Sequence, residues 1–441
     1  MKLLVFAHVP PPHHGQSYMV QQMLAGFGGD QRRRGWRSRS ELAAHAQAAV
    51  PAHGIACYHV NARFSRKLED IGDIHPAKLL LLLRYCAEAI WLRFRHGVTH
   101  FYYVPGPGKR SALYRDWLVM LLCRPFFRKV IFHWHAAGLA KWLETAVQIR
   151  TRSLTYRFMK HADLSVVLSQ FNRRDAEKIL PKQIKVVGNG IPDPCPAFER
   201  DVLPRRRARF AARAKLLSGQ ALSEADLKDT GGDPAIFKVL FLANCTREKG
   251  MFDTLDGVEL ANQQLARARS PIRIKLTVGG AFIHAREEAE FETRLRSVGV
   301  PPDEGAARPR DNSRQVAPAG LGESWVSCAG FLSGDAKYRA FAGSDCFCFP
   351  TYYYAESFGL VLIEAMAFGL SIVASRWRSI PEIMPAGWPG LVQPRNPPEI
   401  ANALLAVMGC DSAQMMRDHF LHRFTAERYL TELADAFHSL E

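Results

Sequence analysis

Cysteine is sparse and unpatterned: nine occur in 441 residues, and the closest pair, Cys346 and Cys348, is spaced Cys-x-Cys. That excludes a disulfide framework and the paired Cys-x-x-Cys spacing of structural zinc sites. No Asp-x-Asp pair occurs, so that carboxylate motif for a metal is missing and no metal is expected. Long hydrophobic runs are missing as well. The most apolar stretch, Leu79–Leu92, is broken by Arg84 and Glu88 and falls short of the ~20 residues that a membrane span needs. The apolar run after Lys2 stops at His8 without a small-residue cleavage site. It reads as a first β-strand rather than a secretion signal, and a reducing cytoplasm is the expected setting.

Acids are outnumbered, 42 Asp and Glu against 58 Lys and Arg, for a formal charge of +16. The excess is clustered in two runs without acids, Arg32, Arg33, Arg34, Arg37 and Arg39, then Arg205, Arg206, Arg207, Arg209, Arg213 and Lys215. Such runs are solvated loops and linkers, or they attract phosphates of lipid, substrate or nucleic acid. Interleaved aromatics are few, Trp36 and Phe210, so no nucleic-acid partner is expected. The segment Leu79–Phe94 reads as a core helix, or as an interfacial helix with Trp91 and Phe94 in lipid and Arg93 and Arg95 at headgroups. That alternative allows peripheral contact with an anionic membrane at its inner face.

At 48% hydrophobic and 23% charged residues the composition is that of a folded globular protein, and the length suggests two domains. Short apolar runs alternate with helix-like stretches, the rhythm of parallel sheets covered by helices. Strands are expected at Leu3–Ala7, Ile55–Val60, His100–Val104, Val130–Trp134, Leu164–Leu168 and Ile184–Val187. The rhythm restarts at Val239–Ala243, Ile274–Val278, Val326–Ala329, Cys346–Phe349 and Ile372–Ala374. The fold class is therefore α/β, with two Rossmann-like doubly wound domains facing across a cleft. Asn189-Gly190 and the prolines at 192, 194 and 196 mark the end of the first, 1–196. A basic linker or insertion with a helix follows at 197–235, then a second domain at 236–410. Helices at 411–441 close the chain, with the option of packing back on the first domain. A loop insertion is expected from Val300 to Gly322.

In such sheets ligands bind beyond the carboxyl ends of strands, and phosphates settle on helix amino termini. The most informative stretch is Phe347–Met366: a strand, Pro350-Thr351-Tyr352-Tyr353-Tyr354, then Glu356-Ser357-Phe358-Gly359-Leu360 opening a helix that carries Glu364. One carboxylate can face a ligand at the helix mouth while the other takes a more distant part of it. Between them, amides near Phe358, Gly359 and Leu360 can hold a phosphate.

The Glu-x7-Glu spacing resembles that of the retaining glycosyltransferases of family 4, which have two Rossmann-like domains in the GT-B arrangement and use nucleotide-sugars. The resemblance implies that Glu356 contacts donor-sugar hydroxyls and that Glu364 binds the ribose, with Ser357 beside them. Phe241–Gly250 (FLANCTREKG) looks like the family's strand, loop and helix with a diphosphate-binding lysine, here Lys249. The family arginine is replaced where Ala243-Asn244 stands, and Arg247 is expected to substitute for it, with Asn244 at the same loop. Gly15, in the His8–Ser17 loop, resembles the family's glycine-containing first loop, and Gly279 its second phosphate-side strand end. Phe132–Gly138 (FHWHAAG) ends a strand where the family has a histidine or acid near the reacting sugar, which assigns His135, with His133 second.

The implied activity is a metal-independent, retaining hexosyl transfer. The sugar would move from a nucleoside diphosphate sugar to a saccharide or lipid-linked saccharide hydroxyl, in surface polysaccharide or glycoconjugate synthesis, with no cofactor beyond the donor. Two other readings stay open: a nucleotide-sugar epimerase of the same architecture, and a basic non-enzymatic protein that binds membranes or nucleic acid.

Overall fold

The computed structural model describes residues 1–11, 14–32, 52–63, 76–297 and 324–441. Arg33, Arg34, Trp36, Arg37, Arg39 and the whole of the Val300–Gly322 insertion lie outside the described residues. The chain divides into two compact units. The first holds Met1–Pro192, Tyr354–Phe358 and Phe424–Glu441, the second Asp193–Tyr353 and Gly359–Arg423.

The first unit is built on one six-stranded sheet, β2-β1-β3-β4-β5-β6. Its strands are Lys2–Ala7 (β1), Ala56–Asn61 (β2), His100–Tyr103 (β3), Lys129–Trp134 (β4), Leu164–Val167 (β5) and Ile184–Val186 (β6), all parallel. The reason is visible in the residues: β1 and β4 are apolar at nearly every position and buried on both faces, as a sheet with helices on each side requires. The helix Ala426–His438 belongs to this unit, where Phe437 packs against Phe27 and Tyr102. Its entry crosses Gly190, where an added Cβ would lie 2.2 Å from the Thr425 carbonyl oxygen. Only glycine permits that approach.

The second unit repeats the plan with order β12-β11-β10-β7-β8-β9. Its strands are Ile236–Leu242 (β7), Arg273–Gly279 (β8), Val326–Gly330 (β9), Cys346–Phe349 (β10), Ser371–Ser375 (β11) and Leu391–Val392 (β12). The helix Met251–Arg267 lays Leu255, Val258, Ala261 and Leu265 along its inner stripe, the 3.6-residue periodicity of a core-facing helix. Its Gly257 faces Ile400, whose Cγ2 would be 2.5 Å from an added Cβ.

Half of the second basic run, Arg206, Arg209 and Arg213, is neither solvated linker nor anion-seeking surface. Residues 203–217 form a helix of the second unit. Arg206, Arg209 and Arg213 recur at helical spacing on one face and are only 8%, 5% and 4% exposed. Arg206 donates to the carbonyls of Phe368, Ser344 and Phe341, orphan acceptors at helix ends. Arg209 meets both oxygens of Asp345 at 2.8 Å, Arg213 lies 3.2 Å from Oδ2, and the Lys238 amide donates to the same oxygen at 2.9 Å. Burial alone would push the Asp345 pKa up; the two guanidiniums and the amide outweigh it and hold it at about 2. The charge of Arg206, Arg209 and Arg213 is thus consumed internally, while Arg207 stays exposed; composition could not reveal the difference.

Asp345→Asn leaves two buried guanidiniums uncompensated, so denaturant unfolding is expected to show a loss of about 3–5 kcal/mol. Because the folded pKa is depressed, the contribution is present above the unfolded value near 3.9 and fades as pH falls toward about 2. The variant's deficit against the parent chain shrinks over that window.

Candidate active site

In the second unit the strand order reverses between β10 and β7, the switch point at which an open sheet leaves a crevice at its carboxyl edge. The loop after β7 is pinned from several sides. Cys245 N–H donates to Ala281 O at 2.9 Å, Tyr352 N–H to Glu248 O at 2.8 Å, and the Thr351 hydroxyl to the same carbonyl at 3.2 Å. Gly250 ends the loop at φ 82°, and a Cβ there would sit 2.5 Å from Pro350 O. Backbone this close to β10 demands glycine. Gly280 plays the same part after β8, with φ 151° and an added Cβ 1.8 Å from Ala243 O.

These constraints deliver Lys249 to the crevice. Its ammonium lies 4.7 Å from the ring centroid of Tyr353 and 5.6 Å from that of Phe349, within cation–π range. Gly359, at φ 79°, caps the helix Leu360–Ala367 on which Glu364 rides. Glu364 Oε1 accepts from Lys337 Nζ at 2.5 Å. Burial raises the Glu364 pKa and Lys337 pulls it partly back. Sequence reasoning missed Lys337; a lysine within the helix Gly334–Gly343, with no motif around it, carries no signal of its partner 27 residues later.

Arg247, expected to substitute for the family arginine, is ion-paired. Its Nη2 lies 2.6 Å from both oxygens of Glu290, and its guanidinium covers the Phe252 ring at 4.6 Å. Asn244 is exposed, and its carbonyl accepts from Thr246 N–H at 2.8 Å. Gly279 serves packing: an added Cβ would lie 2.8 Å from Leu242 Cδ1.

Residues 354–358 pack with the first unit, so Glu356, Ser357 and Phe358 do not join the Lys249 and Glu364 set within one unit. Ser357 Oγ donates to His135 O at 2.5 Å, and the Phe358 ring packs edge-on against Phe424. Glu356 is 8% exposed. The segment thus rests on the carboxyl end of β4, beside a group of histidines. His133 and His135 have ring centroids 4.1 Å apart, and His133 Nδ1 pairs with the Tyr102 hydroxyl at 2.8 Å. His14 caps the first helix just ahead of Gly15, its Nδ1 accepting from Ser17 N–H at 3.3 Å. That bond assigns the His14 proton to Nε2, which donates to His8 Nε2 at 2.7 Å.

Every one of these shifts favours the neutral ring. Burial, then His14, lowers the His135 pKa to about 3; burial, then His14, Arg115 and His59, lowers His8 to about 4. Burial, then His135, depresses His133 further below its ordinary value. The Nε2 atoms of His133 and His135 have no hydrogen-bond partner among the described residues, leaving polar valence for a hydroxyl-bearing ligand. Among the described residues no cluster of three or more His, Cys, Asp or Glu is arranged to hold a metal ion.

Lowered imidazole pKa values mean that the unfolded chain binds protons the native state refuses. Stability is therefore present in full above pH 6.5 and drains as pH falls through that value. His135→Gln is expected to flatten the fall in urea-unfolding free energy between pH 6 and pH 4 by about 1.3 kcal/mol per pH unit. An unchanged slope would show that His135 titrates normally.

Residues 238–409 match the family model described as glycosyl transferases group 1. An 82-residue stretch is 33% identical to the O-antigen chain mannosyltransferase B of Escherichia coli, covering 19% of this chain and 20% of that protein. The chain thus spans about a fifth of the length of that curated relative. Over 100% of its length the structure resembles the sucrose-phosphate synthase of Thermosynechococcus elongatus, with a TM-score of 0.61, 17% identity and 99% of that chain covered. It also resembles the Anabaena protein HepE, solved with UDP and glucose, at a TM-score of 0.56, 16% identity and 99% coverage of both chains. The fold is that of the GT-B glycosyltransferases, and residues 238–409 are similar to the glycosyl transferases group 1.

Proposed function

We propose that the chain is a retaining, metal-independent glycosyltransferase of family 4. It moves a sugar from a nucleoside diphosphate sugar to a hydroxyl of a saccharide or lipid-linked saccharide, in cytoplasmic assembly of a surface polysaccharide or glycoconjugate. One observation carries the reading: the group 1 match spans the crevice between β7 and β10, where Lys249 and Glu364 stand. HepE, of the same fold, was solved with UDP and with UDP-glucose, which supports a nucleoside diphosphate sugar as donor.

In this reading Lys249 supplies a compact positive charge to the departing diphosphate, and the amides at Gly359 and Leu360 hold its oxygens. Such preorganised charge is worth most where charge develops in the transition state. Glu364, oriented by Lys337, accepts hydrogen bonds from the ribose hydroxyls. Glu356 contacts donor-sugar hydroxyls, and His135, a neutral imidazole, hydrogen-bonds the sugar or the acceptor. The leaving phosphate takes the acceptor proton. The absence of an Asp-x-Asp pair from the sequence favours this division of labour over a metal.

Thermal unfolding against UDP, GDP, ADP and dTDP and their sugars identifies the donor class, since a ligand that binds only the native state raises the melting temperature. One nucleotide is expected to give a clear shift, lost in Glu364→Ala. With that donor and a matching acceptor, Lys249→Ala is expected to lower kcat by about 10²–10³. Full transfer by Lys249→Ala or Glu356→Ala would overturn these roles. Turnover of the donor without any acceptor would point to an epimerase instead.

A further inference from the structure

The first unit has a second concave feature, at the edge of its sheet opposite the carboxyl ends. The starts of β4 and β5 open onto a cleft of about 840 Å³, lined by Arg124, Arg128, Arg157, Lys160 and Lys182. The one carboxylate in its lining, Asp163, is already engaged: Lys182 Nζ and the Val130 amide each lie 2.9 Å from its oxygens. Arg124 donates to the carbonyls of Phe158 and His161 at 3.0 Å, which fix the guanidinium without neutralising it. Arg128 and Arg157 are exposed. The cleft therefore presents a surplus of positive charge that no described residue balances.

Next to it the surface turns apolar. Leu121 and Phe126 at the rim are exposed. Phe126 meets Phe94 edge-on at 6.0 Å, and Arg93 Nε donates to Phe126 O at 2.8 Å. Phe94 belongs to the helix Pro76–His96, which buries Leu82, Cys86, Ala89 and Leu92 on one side. Its other side carries Leu80, Leu83, Trp91 and Phe94, which are 72%, 42%, 57% and 68% exposed. Arg84 and Arg95 lie on the exposed side, and the helix's single acid, Glu88, is tied to Arg32 at 2.5 Å. From Leu80 to Phe94 the stripe runs about 20 Å at 1.5 Å per residue. Scattered exposed leucines need no explanation, but a continuous stripe with Trp and Phe, flanked by arginines and free of acids, is the pattern of a helix lying in a membrane interface. No helix among the described residues is long and apolar enough to cross a membrane.

We infer that this face of the first unit docks on an anionic phospholipid bilayer. Trp91, Phe94 and Phe126 enter the acyl boundary, and the cations of the cleft hold headgroup phosphates. Charge complementarity selects this occupant: a protein partner would have to be both apolar and acidic along one continuous strip, whereas an anionic leaflet offers both everywhere. The inference stands without the sugar-transfer reading.

The test is flotation of the full chain with phosphatidylcholine vesicles, with and without phosphatidylglycerol, at about 0.1 M salt, where the Debye length is near 10 Å. Recovery with the anionic vesicles is expected to exceed that with the neutral ones about tenfold, and to fall as salt rises. Trp91→Glu with Phe94→Glu removes binding to both vesicles, while Arg128→Glu with Arg157→Glu removes the anionic preference. All four positions are on the surface, so melting temperatures stay at the parent value. Failure of the parent chain to float with either vesicle overturns the inference, as does undiminished flotation of both variants. Displacement by inorganic pyrophosphate, with Trp91→Glu and Phe94→Glu floating normally, overturns the bilayer as occupant and assigns the cleft to a soluble anion.

Discussion

A parallel strand cannot turn back into its neighbour; it must leave the sheet and return through a crossover, and this constraint governs the molecule. In each unit it delivers all six carboxyl ends to one edge and all six amino ends to the other. Loops of variable length collect at the carboxyl edge, and the reversal of strand order opens a crevice there. Lys249 and the cap at Gly359 occupy that edge in the second unit, His8 and His135 in the first. The basic cleft lies at the other edge of the first sheet, where β4 and β5 begin. Topology alone therefore separates the proposed chemistry from the proposed membrane contact.

Holding chemistry at a sheet edge requires backbone to run closer than side chains allow, and glycine marks those places. Gly250 against Pro350 O and Gly280 against Ala243 O draw the loops after β7 and β8 inward, so that the Lys249 side chain reaches the rings of Phe349 and Tyr353. The aromatic run Tyr352-Tyr353-Tyr354 then has distinct duties. Tyr352 N–H fixes the loop through Glu248 O, Tyr353 covers the lysine, and Tyr354 begins the segment that packs with the first unit.

Much of this was legible in the residues. Eleven of the twelve strands announce themselves as short apolar or β-branched runs, because both faces are buried; β12, only Leu391–Val392, is too short for any period to show. The Glu-x7-Glu spacing and Lys249 were legible as motifs. What stayed hidden depends on contacts distant in sequence. Asp345 absorbs Arg209 and Arg213, which turns part of an apparent anion-binding run into core; Glu290 engages Arg247; Lys337 meets Glu364. Charge counts cannot distinguish a cation facing water from one facing a buried carboxylate. The assignment of residues 354–358 to the first unit was equally hidden, since it rests on Ser357 meeting the His135 carbonyl.

The histidines narrow what the proposed reaction can ask of the protein. A general base works best with a pKa near the operating pH, whereas burial lowers His135 to about 3 and His133 further below its usual value. A base that weak gains little driving force from an acceptor hydroxyl at neutral pH. A neutral imidazole can still accept or donate one well-directed hydrogen bond, and in a buried setting that bond is strong because water does not compete. His135 is thus suited to orienting a hydroxyl rather than deprotonating it. The proton then has to leave with another group, and in the proposed transfer the departing phosphate is the available base.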